Sequence, residues 1–528
     1  MFIPKPDKCK GCPFYELSSY ITPDYYVKDS EICIVAQAPG EHEEEGHRIT
    51  GYVYKGGKKL EITESVRPQP LIGPTGKWLQ DEFWPYTKIP YSQVSRANII
   101  KCRPHGKNDL PNINSNKSVN GITPTMLKDA INHCTESYLN INDSNKYIIA
   151  MGGISLYALT GLEGSSNGIT DWRGWVLGVD NGYTDRQILG FDSYYQPIRD
   201  EPEGLLKNIY SVIHIASLFK NPTLYRATVL DFIKFGRFVR GEWPIETPYM
   251  NINIQPESIP KYIGFDTEYD VEDNNRLEMW SLADVEGNIY VYDVQHTHVS
   301  NILPIQPGTT VVTQNGLVDL PHFIKVFDVT SIKLEDCMLG WATLFPGEPT
   351  NLDYMTSCVG RYNRHKHIRT TRDLNMKYFY AGLDADTTLN HVWKYQLMEF
   401  TKDKLSWQEY MLRRQPLLYI IDKFQKKGVE VYKERVEYVA QLLDKEMEDI
   451  VERSKEVSGN PLFNIASHEQ VSNAVYNGVY VSPVKEKPVR VKKSKETIRS
   501  KQLKLISEEI IRNAEKFLAS REDIEGEE

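Results

Sequence analysis

A chain of 528 residues exceeds what one core holds and points to about three domains of roughly 100–200 residues each. Its 62 basic and 71 acidic side chains leave a net charge of −9, which excludes a uniformly basic nucleic-acid coat but not local basic grooves. No apolar run approaches the ~20 residues of a membrane span, Met1-Phe2-Ile3-Pro4-Lys5 does not read as a signal peptide, and seven cysteines fit a reducing cytoplasm better than a disulfide scaffold.

Cys9-Lys10-Gly11-Cys12 opens the chain, and Cys102 and Cys134 follow. A C-x-x-C pair offers two thiolates to one metal, and two distant cysteines can complete the set; on spacing alone zinc and an iron–sulfur cluster fit equally. Cys33, inside the apolar Ile32-Cys33-Ile34-Val35 strand, reads as a core residue, as do Cys337 and Cys358. The Pro-rich, aperiodic stretch from Gly241 to Pro260 marks a boundary. Beyond it, the β-rich Tyr262-Ile263-Gly264-Phe265 runs into Asp266 and Glu268, two apart on a strand and so on one face. Asn315-Gly316-Leu317-Val318-Asp319 follows the apolar Thr310-Val311-Val312, with Asp336 further on. Tyr380 and Asp384, four apart, share a helix face. Hard carboxylate oxygens converging from several segments suit two Mg²⁺ or Mn²⁺ ions, which can clamp the attacking and leaving oxygens of a phosphodiester.

A second boundary is expected near residue 400. Past it, Leu417, Leu418, Ile421 and Phe424 recur at helical spacing, and Lys426-Lys427-Gly428 makes a C-terminal stop. The last third is the most basic, with Lys485, Lys487, Arg490, Lys492, Lys493, Lys495, Arg499, Lys501 and Lys504 crowded together before an acidic end.

Residues 5–240 resemble the family 4 uracil-DNA glycosylases. The resemblance is carried by Val35-Ala36-Gln37-Ala38-Pro39-Gly40, Pro70-Leu71-Ile72-Gly73-Pro74-Thr75-Gly76, Asn98-Ile99-Ile100-Lys101-Cys102-Arg103-Pro104, Trp172-Arg173-Gly174-Trp175 and His214 with Asn221-Pro222. It implies a three-layer α/β domain over residues 1–245, with a 4Fe–4S cluster on Cys9, Cys12, Cys102 and Cys134. By the same resemblance Asn98 reads the uracil edge, His214 stabilises the departing uracil anion, and Glu43 takes the family's acidic position. Gln37 stands where the family has Glu, and an amide is no general base. Leu71 replaces the phenylalanine that stacks on the extruded base, and Ile215 replaces the Pro after His214. The expected consequence is recognition of DNA or uracil with weak excision.

The three acidic segments, in their order, resemble the motifs of DEDDy 3′–5′ exonucleases. The resemblance implies an RNase H-like domain over 256–400. Asp266, Glu268 and Asp384 hold one metal, Asp266 is shared by the second, Asp319 acts on that second ion through water, and the Tyr380 hydroxyl orients the attacking water. Asp386, on another helix face, is left out. Gln415-Pro416-Leu417-Leu418 through Val431 and Leu462–Gln470 resemble the start of a family A DNA polymerase thumb, so 401–528 is expected to be an α-helical, thumb-like region gripping duplex through Lys492, Lys493, Lys495 and Arg499. No palm or fingers motif follows. The expected protein is the exonuclease-bearing part of a phage-type family A polymerase, working on single-stranded 3′ ends and primer–template duplex in the (host) cytoplasm, away from membranes, with a palm-and-fingers chain as partner. A free-standing repair enzyme and a non-catalytic DNA-binding subunit are the alternatives.

Overall fold

β1 (Ile32–Ala36) is buried at every position, as befits a strand covered on both faces. It lies between parallel partners β4 (Val94–Asn98) and β5 (Tyr147–Met151), and β5 pairs in parallel with β7 (Asn208–Val212). β6 (Val176–Leu177) closes the edge antiparallel, giving the order β4-β1-β5-β7-β6. Strand alternation sends Cys33 and Val35 into one core and Ile32, Ile34 and Ala36 into the other. Helices Pro124–Tyr138 and Gly153–Thr160 cover the first core, and helix Tyr225–Val239 with Phe83 and Trp84 covers the second. Three layers result. β2 (His47–Lys55) and β3 (Lys58–Ser65) form a separate antiparallel ribbon that the sequence reading does not anticipate.

The computed structural model describes residues 2–477 other than 56–57, 105–108, 114, 140, 142–143, 163–168, 178–207, 245–247, 255, 257, 271–275, 295–305, 320–331, 363, 367–368, 370–372 and 429–431. Lys492, Lys493, Lys495 and Arg499, expected to contact duplex, lie outside the described residues.

The second sheet has the order β13-β12-β9-β10-β11-β8. Here β8 is Met250–Ile252, β9 Tyr262–Asp270, β10 Arg276–Asp284, β11 Ile289–Asp293, β12 Thr310–Thr313 and β13 Lys333–Asp336. β9, β10 and β11 make an antiparallel meander, and β12 and β13 continue from β9 in parallel. This is the mixed sheet expected of an RNase H-like domain. Helix Leu374–Asp386 lies on it at unusually close range. A Cβ on Gly264 would collide with the Ala385 carbonyl, and one on Gly382 would meet Ile289 and Val291 at 2.9 Å. The two glycines thus let the helix backbone approach β9 and β11. The chain is a mixed α/β multidomain protein with parallel-rich sheets and a helical C-terminal region.

Residues Met1–Lys427 form one compact unit and Gly428–Glu528 another. The boundary read near residue 400 falls inside the first unit, because the following helices are fastened to β13. The Tyr410 hydroxyl donates to Glu335 and accepts from the Asp336 N–H, each at 2.9 Å, and Gln415 donates to the Leu334 carbonyl. In the second unit, helix Lys433–Ser458 has no buried residue.

The two large sheets of the first unit are joined through a buried ion pair of the first layer that bonds across to Ser357. Arg173 and Asp231 are 1% and 0% exposed. Arg173 donates Nε to Asp231 Oδ2 at 2.8 Å and Nη1 to Ser357 Oγ at 2.8 Å, while Lys234 Nζ reaches the Ser357 carbonyl at 3.1 Å. Trp243 Nε1 donates to the Gly360 carbonyl at 3.2 Å. Removing one partner of a buried pair strands the other, at a cost of ~3–5 kcal/mol. We therefore expect Arg173→Ala to lower unfolding stability by about that much, and Arg173→Met with Asp231→Leu to recover a large part. Denaturant titration checks this, and equal losses in single and double variants would contradict it.

Candidate metal centre and nucleotide cavity

β9 and the close-packed helix bring Asp266, Glu268 and Asp384 together. One carboxylate oxygen from each lies within 4.8 Å of the others, and among the described residues this is the group of three that could hold an ion. The Oδ2 of Asp266 is buried without a hydrogen-bond partner, an orphaned hard oxygen of the kind a divalent cation satisfies. The donor set and geometry fit Mg²⁺ or Mn²⁺. Asp319 stands outside that trio, 4% exposed, accepting a 2.5 Å bond from Thr267 Oγ1. Its turn is held in place by Asp336, which accepts from the Gly316 N–H at 2.6 Å and caps the helix Cys337–Leu344 through Leu339 N–H at 2.9 Å. Asn315, at φ 61, makes the left-handed turn that leads into this segment.

Two further side chains face these carboxylates. Lys366 pairs with Asp384 and donates to the Tyr380 hydroxyl at 2.8 Å, and His365 Nε2 meets the other Asp384 oxygen at 2.8 Å. Sequence reasoning missed both. The available signal was the basic segment Arg361–Arg369, 15 or more positions before Asp384 in sequence. Asp386 turns away: it accepts from Tyr362 at 2.5 Å and Asn390 at 2.6 Å, so it serves packing.

The electrostatics are asymmetric. Burial, then the neighbouring Asp384, Asp319 and Glu268 charges, raise Asp266 well above the usual carboxylate range. Burial and Asp384 push Glu268 up to about 7, and burial chiefly pushes Asp319 up to about 7. Burial acts on Asp384 in the same direction, but Lys366 and His365 outweigh it and hold Asp384 at about 2. Burial and the surrounding carboxylates push Tyr380 upward, so its hydroxyl stays a donor.

The glycosylase-like residues gather elsewhere. A cavity of about 490 Å³ is lined by Gln37, Glu43, Leu71 and His214, together with His42 and Lys220, which the sequence reading did not single out. Glu43 is committed to the backbone, accepting from Leu71 N–H at 2.7 Å and Gly40 N–H at 3.0 Å. Burial raises its pKa despite those bonds. Leu71 sits at φ 59 and is buried, and the Glu43 bond holds that strained backbone in place. Asn98 is not part of the lining. It lies behind Glu43, donating Nδ2 to it at 3.4 Å, and its Oδ1 is buried with no partner. Burial drops His214 to about 4, so the ring is neutral near pH 7. Its Nδ1 accepts from Ala216 N–H at 3.3 Å, which assigns the ring proton to Nε2.

Cys9, Cys12, Cys102 and Cys134 are all buried and free, and they converge. The neighbouring Cys134 chiefly lowers the Cys12 thiol to about 6, and Cys134 itself is raised by Cys12 and by burial. Burial pushes Cys102 up to about 12, with the charges of Cys12 and Cys9 acting in the same direction. Cys9 Sγ lies 2.8 Å from the Tyr138 hydroxyl. An all-thiolate donor set suits an iron–sulfur cluster or zinc.

No family model matches the chain. It is 22% identical over 196 residues to a type-4 uracil-DNA glycosylase of Sulfurisphaera tokodaii, covering 35% of this chain and 69% of that protein. Among solved structures it is similar to the POL domain of Pol1 from M. smegmatis in complex with DNA primer-template and dNTP, at 13% identity and TM-score 0.34. That match covers 47% of this chain and spans 45% of the polymerase chain. Brucella melitensis NrnC with bound Mg²⁺ matches at 13% identity and TM-score 0.28, covering 35% of this chain and 96% of that one. At TM-scores this low the structural likenesses carry no functional weight.

The raised carboxylates make a pH prediction. Glu268 and Asp319 sit at about 7 in the fold, against about 4 in an unfolded chain, so without divalent ions the folded protein holds more protons. The stability these groups contribute is present below their unfolded values and is lost as pH rises through about 7. The Tm of chelator-treated protein should fall from about pH 5 to about pH 8. Mg²⁺ or Mn²⁺ should raise Tm more at the upper end, and Asp266→Asn should flatten both responses. A Tm that climbs across this window in protein but not in the variant would contradict the assignment.

Proposed function

We propose that this chain is a DNA-processing enzyme that removes 3′-terminal nucleotides by metal-assisted phosphodiester hydrolysis, the exonuclease-bearing part of a phage-type family A polymerase. The observation that carries this reading is the convergence of Asp266, Glu268 and Asp384 beside Tyr380. Two Mg²⁺ or Mn²⁺ ions bound there would supply Lewis acidity and lower the pKa of the attacking water. Asp266, Glu268 and Asp384 would hold the ions, and Asp319 would assist in holding the second. The Tyr380 hydroxyl orients the nucleophile as a hydrogen-bond donor. Asp266→Ala with Glu268→Ala should bring 3′→5′ digestion of single-stranded DNA to background while the circular dichroism spectrum stays unchanged. Undiminished digestion by that variant would sink the reading.

In the N-terminal domain, Cys9, Cys12, Cys102 and Cys134 would hold a 4Fe–4S cluster with a structural role, tying the N-terminus to the Cys102 loop and helix Pro124–Tyr138. A single zinc needs sulfurs ~2.3 Å from one ion. The four cysteines do not form a three-ligand group within 4.8 Å among the described residues, which favours the larger cluster. The neighbouring cavity reads as a uracil-recognition site. His214 offers a neutral Nε2–H, but Gln37 and Leu71 supply neither a carboxylate nor a stacking ring, and Asn98 stands behind Glu43 rather than on the cavity wall. Losing one such element commonly costs ~10²–10³ in rate. Anaerobically purified protein should be brown, with broad absorption near about 400 nm, and should release uracil from an oligonucleotide slowly or not at all. A colourless preparation with stoichiometric zinc rejects the cluster, and rapid uracil release rejects the recognition reading.

The partner reading rests on apolar side chains left uncovered. On helix Gln415–Lys427 they are Leu417, Ile420, Ile421 and Phe424; on helix Lys433–Ser458 they are Val436, Val439, Leu443, Met447 and Ile450. The second set follows a 3–4 residue spacing, a stripe suited to another apolar surface. A palm-and-fingers chain is the proposed cover, with more than roughly 2,000 Å² buried in total. Co-expression should give a complex that extends primers and is edited by this exonuclease. A chain that stays alone beside such a product, with no joint primer extension, makes the free-standing repair enzyme the better reading.

A further inference from the structure

The β2–β3 ribbon plays no part in either site described above. Isolated two-stranded hairpins are marginal in water, and every residue of β3 is exposed. Val53, Tyr54, Leu60 and Ile62 are exposed as well, Tyr54 at 73%. Charge is sorted along the ribbon. At the root the carboxylates are paired, Glu61 with His42 at 2.7 Å and Glu64 with Arg48 at 3.0 Å. Toward the tip, residues 52–60 include Lys55, Lys58 and Lys59 and no carboxylate.

The register fixes the faces. Tyr52 opposes Glu61, Tyr54 opposes Lys59, and Lys55 opposes Lys58. Residues two apart on a strand share a face, so Tyr52, Tyr54, Lys59 and Glu61 stand together, with the Lys59 ammonium 3.6 Å from the Tyr52 ring centroid. Glu61 on that face grips His42, and His42 lines the cavity. The aromatic and lysine-bearing face therefore continues outward from the cavity wall. Lys55 and Lys58, next to the tip on the opposite face, are like charges directly opposite each other; they repel, and a polyanion that wraps the tip relieves that repulsion.

We propose that the ribbon is a finger that binds single-stranded DNA leading into the cavity: Tyr52 and Tyr54 stack on bases beside the presented nucleotide, and Lys55, Lys58 and Lys59 neutralise its phosphates. The proposal rests on the reading that the cavity takes a nucleotide. Aromatic rings accept any base face, and lysines follow the backbone, so the contact is indifferent to sequence.

The test uses the full chain in EDTA with closed single-stranded DNA circles, which have no 3′ end for the carboxylate site. One circle carries a single deoxyuridine and the other thymidine, and affinity is read by fluorescence anisotropy across a salt series. Each phosphate neutralised on a single strand contributes ~0.7 to the salt slope. Lys55→Gln/Lys58→Gln/Lys59→Gln should therefore lower it by about 2. Tyr54→Ala should weaken binding to both circles about fivefold or more, and Tyr54→Phe should restore it. A wild-type slope in the triple variant overturns the proposal, as does Tyr54→Phe as weak as Tyr54→Ala. Unchanged DNA binding with an altered oligomeric mass assigns the ribbon to a protein contact instead and overturns it equally. Failure of the cavity reading shows separately, as equal wild-type affinity for the two circles.

Discussion

The first unit depends on burying one guanidinium without leaving it short of partners. Arg173 sits where two sheets meet. A buried ion pair gains little unless the remaining donors are satisfied, and Asp231 alone does not use all of them. Ser357, on helix Leu352–Val359 of the second sheet, accepts one. Gly174, at φ 76, lets the backbone come close, since a Cβ there would meet the Ser357 carbonyl. The requirement to satisfy one charge thus joins the layers built on the first sheet to those built on the second.

That join reaches the carboxylates. Helix Leu352–Val359 leads into the segment that carries Tyr362, Arg364, His365 and Lys366. Arg364 stacks over Trp172 at 4.7 Å, beside Arg173, and pairs with Asp353 at 2.8 Å. Clamped there, the next two residues are delivered to opposite oxygens of Asp384. The N-terminal layer therefore buttresses the two residues that hold Asp384 at the low end of the carboxylate range. Its neighbours Asp266 and Glu268 have no such pairing and stay raised until other positive charge reaches them.

Regular periods made part of this legible in the sequence. Asp266 and Glu268 follow the two-residue repeat of a strand, and Tyr380 and Asp384 the four-residue step of a helix, so each pair could be placed from local spacing. The runs around Cys33 and Phe265 likewise announced buried strands. What brings the pairs together was not legible. Gly264 and Gly382 act by lacking a Cβ where helix and sheet meet, which no local pattern signals. His365 and Lys366 arrive through an irregular segment with no period. Arg173 read as part of a glycosylase-like segment, and its partner Ser357 is 184 positions away. The ribbon was missed because it interrupts a recognisable segment between Glu45 and Pro70, and attention to the flanks passes over what they enclose.

The two sites that share this unit are built on opposite electrostatic terms. Around Asp266, several carboxylates crowd a desolvated space, and burial together with the crowding raises Asp266 and Glu268 above the usual carboxylate range. Around His214 the ring is neutral, Glu43 is consumed by backbone N–H groups and Gln37 offers an amide, while Lys220 stands on the same wall. These two environments share one compact unit, and the Arg173 join links the sheets that carry them while leaving each its own local charge.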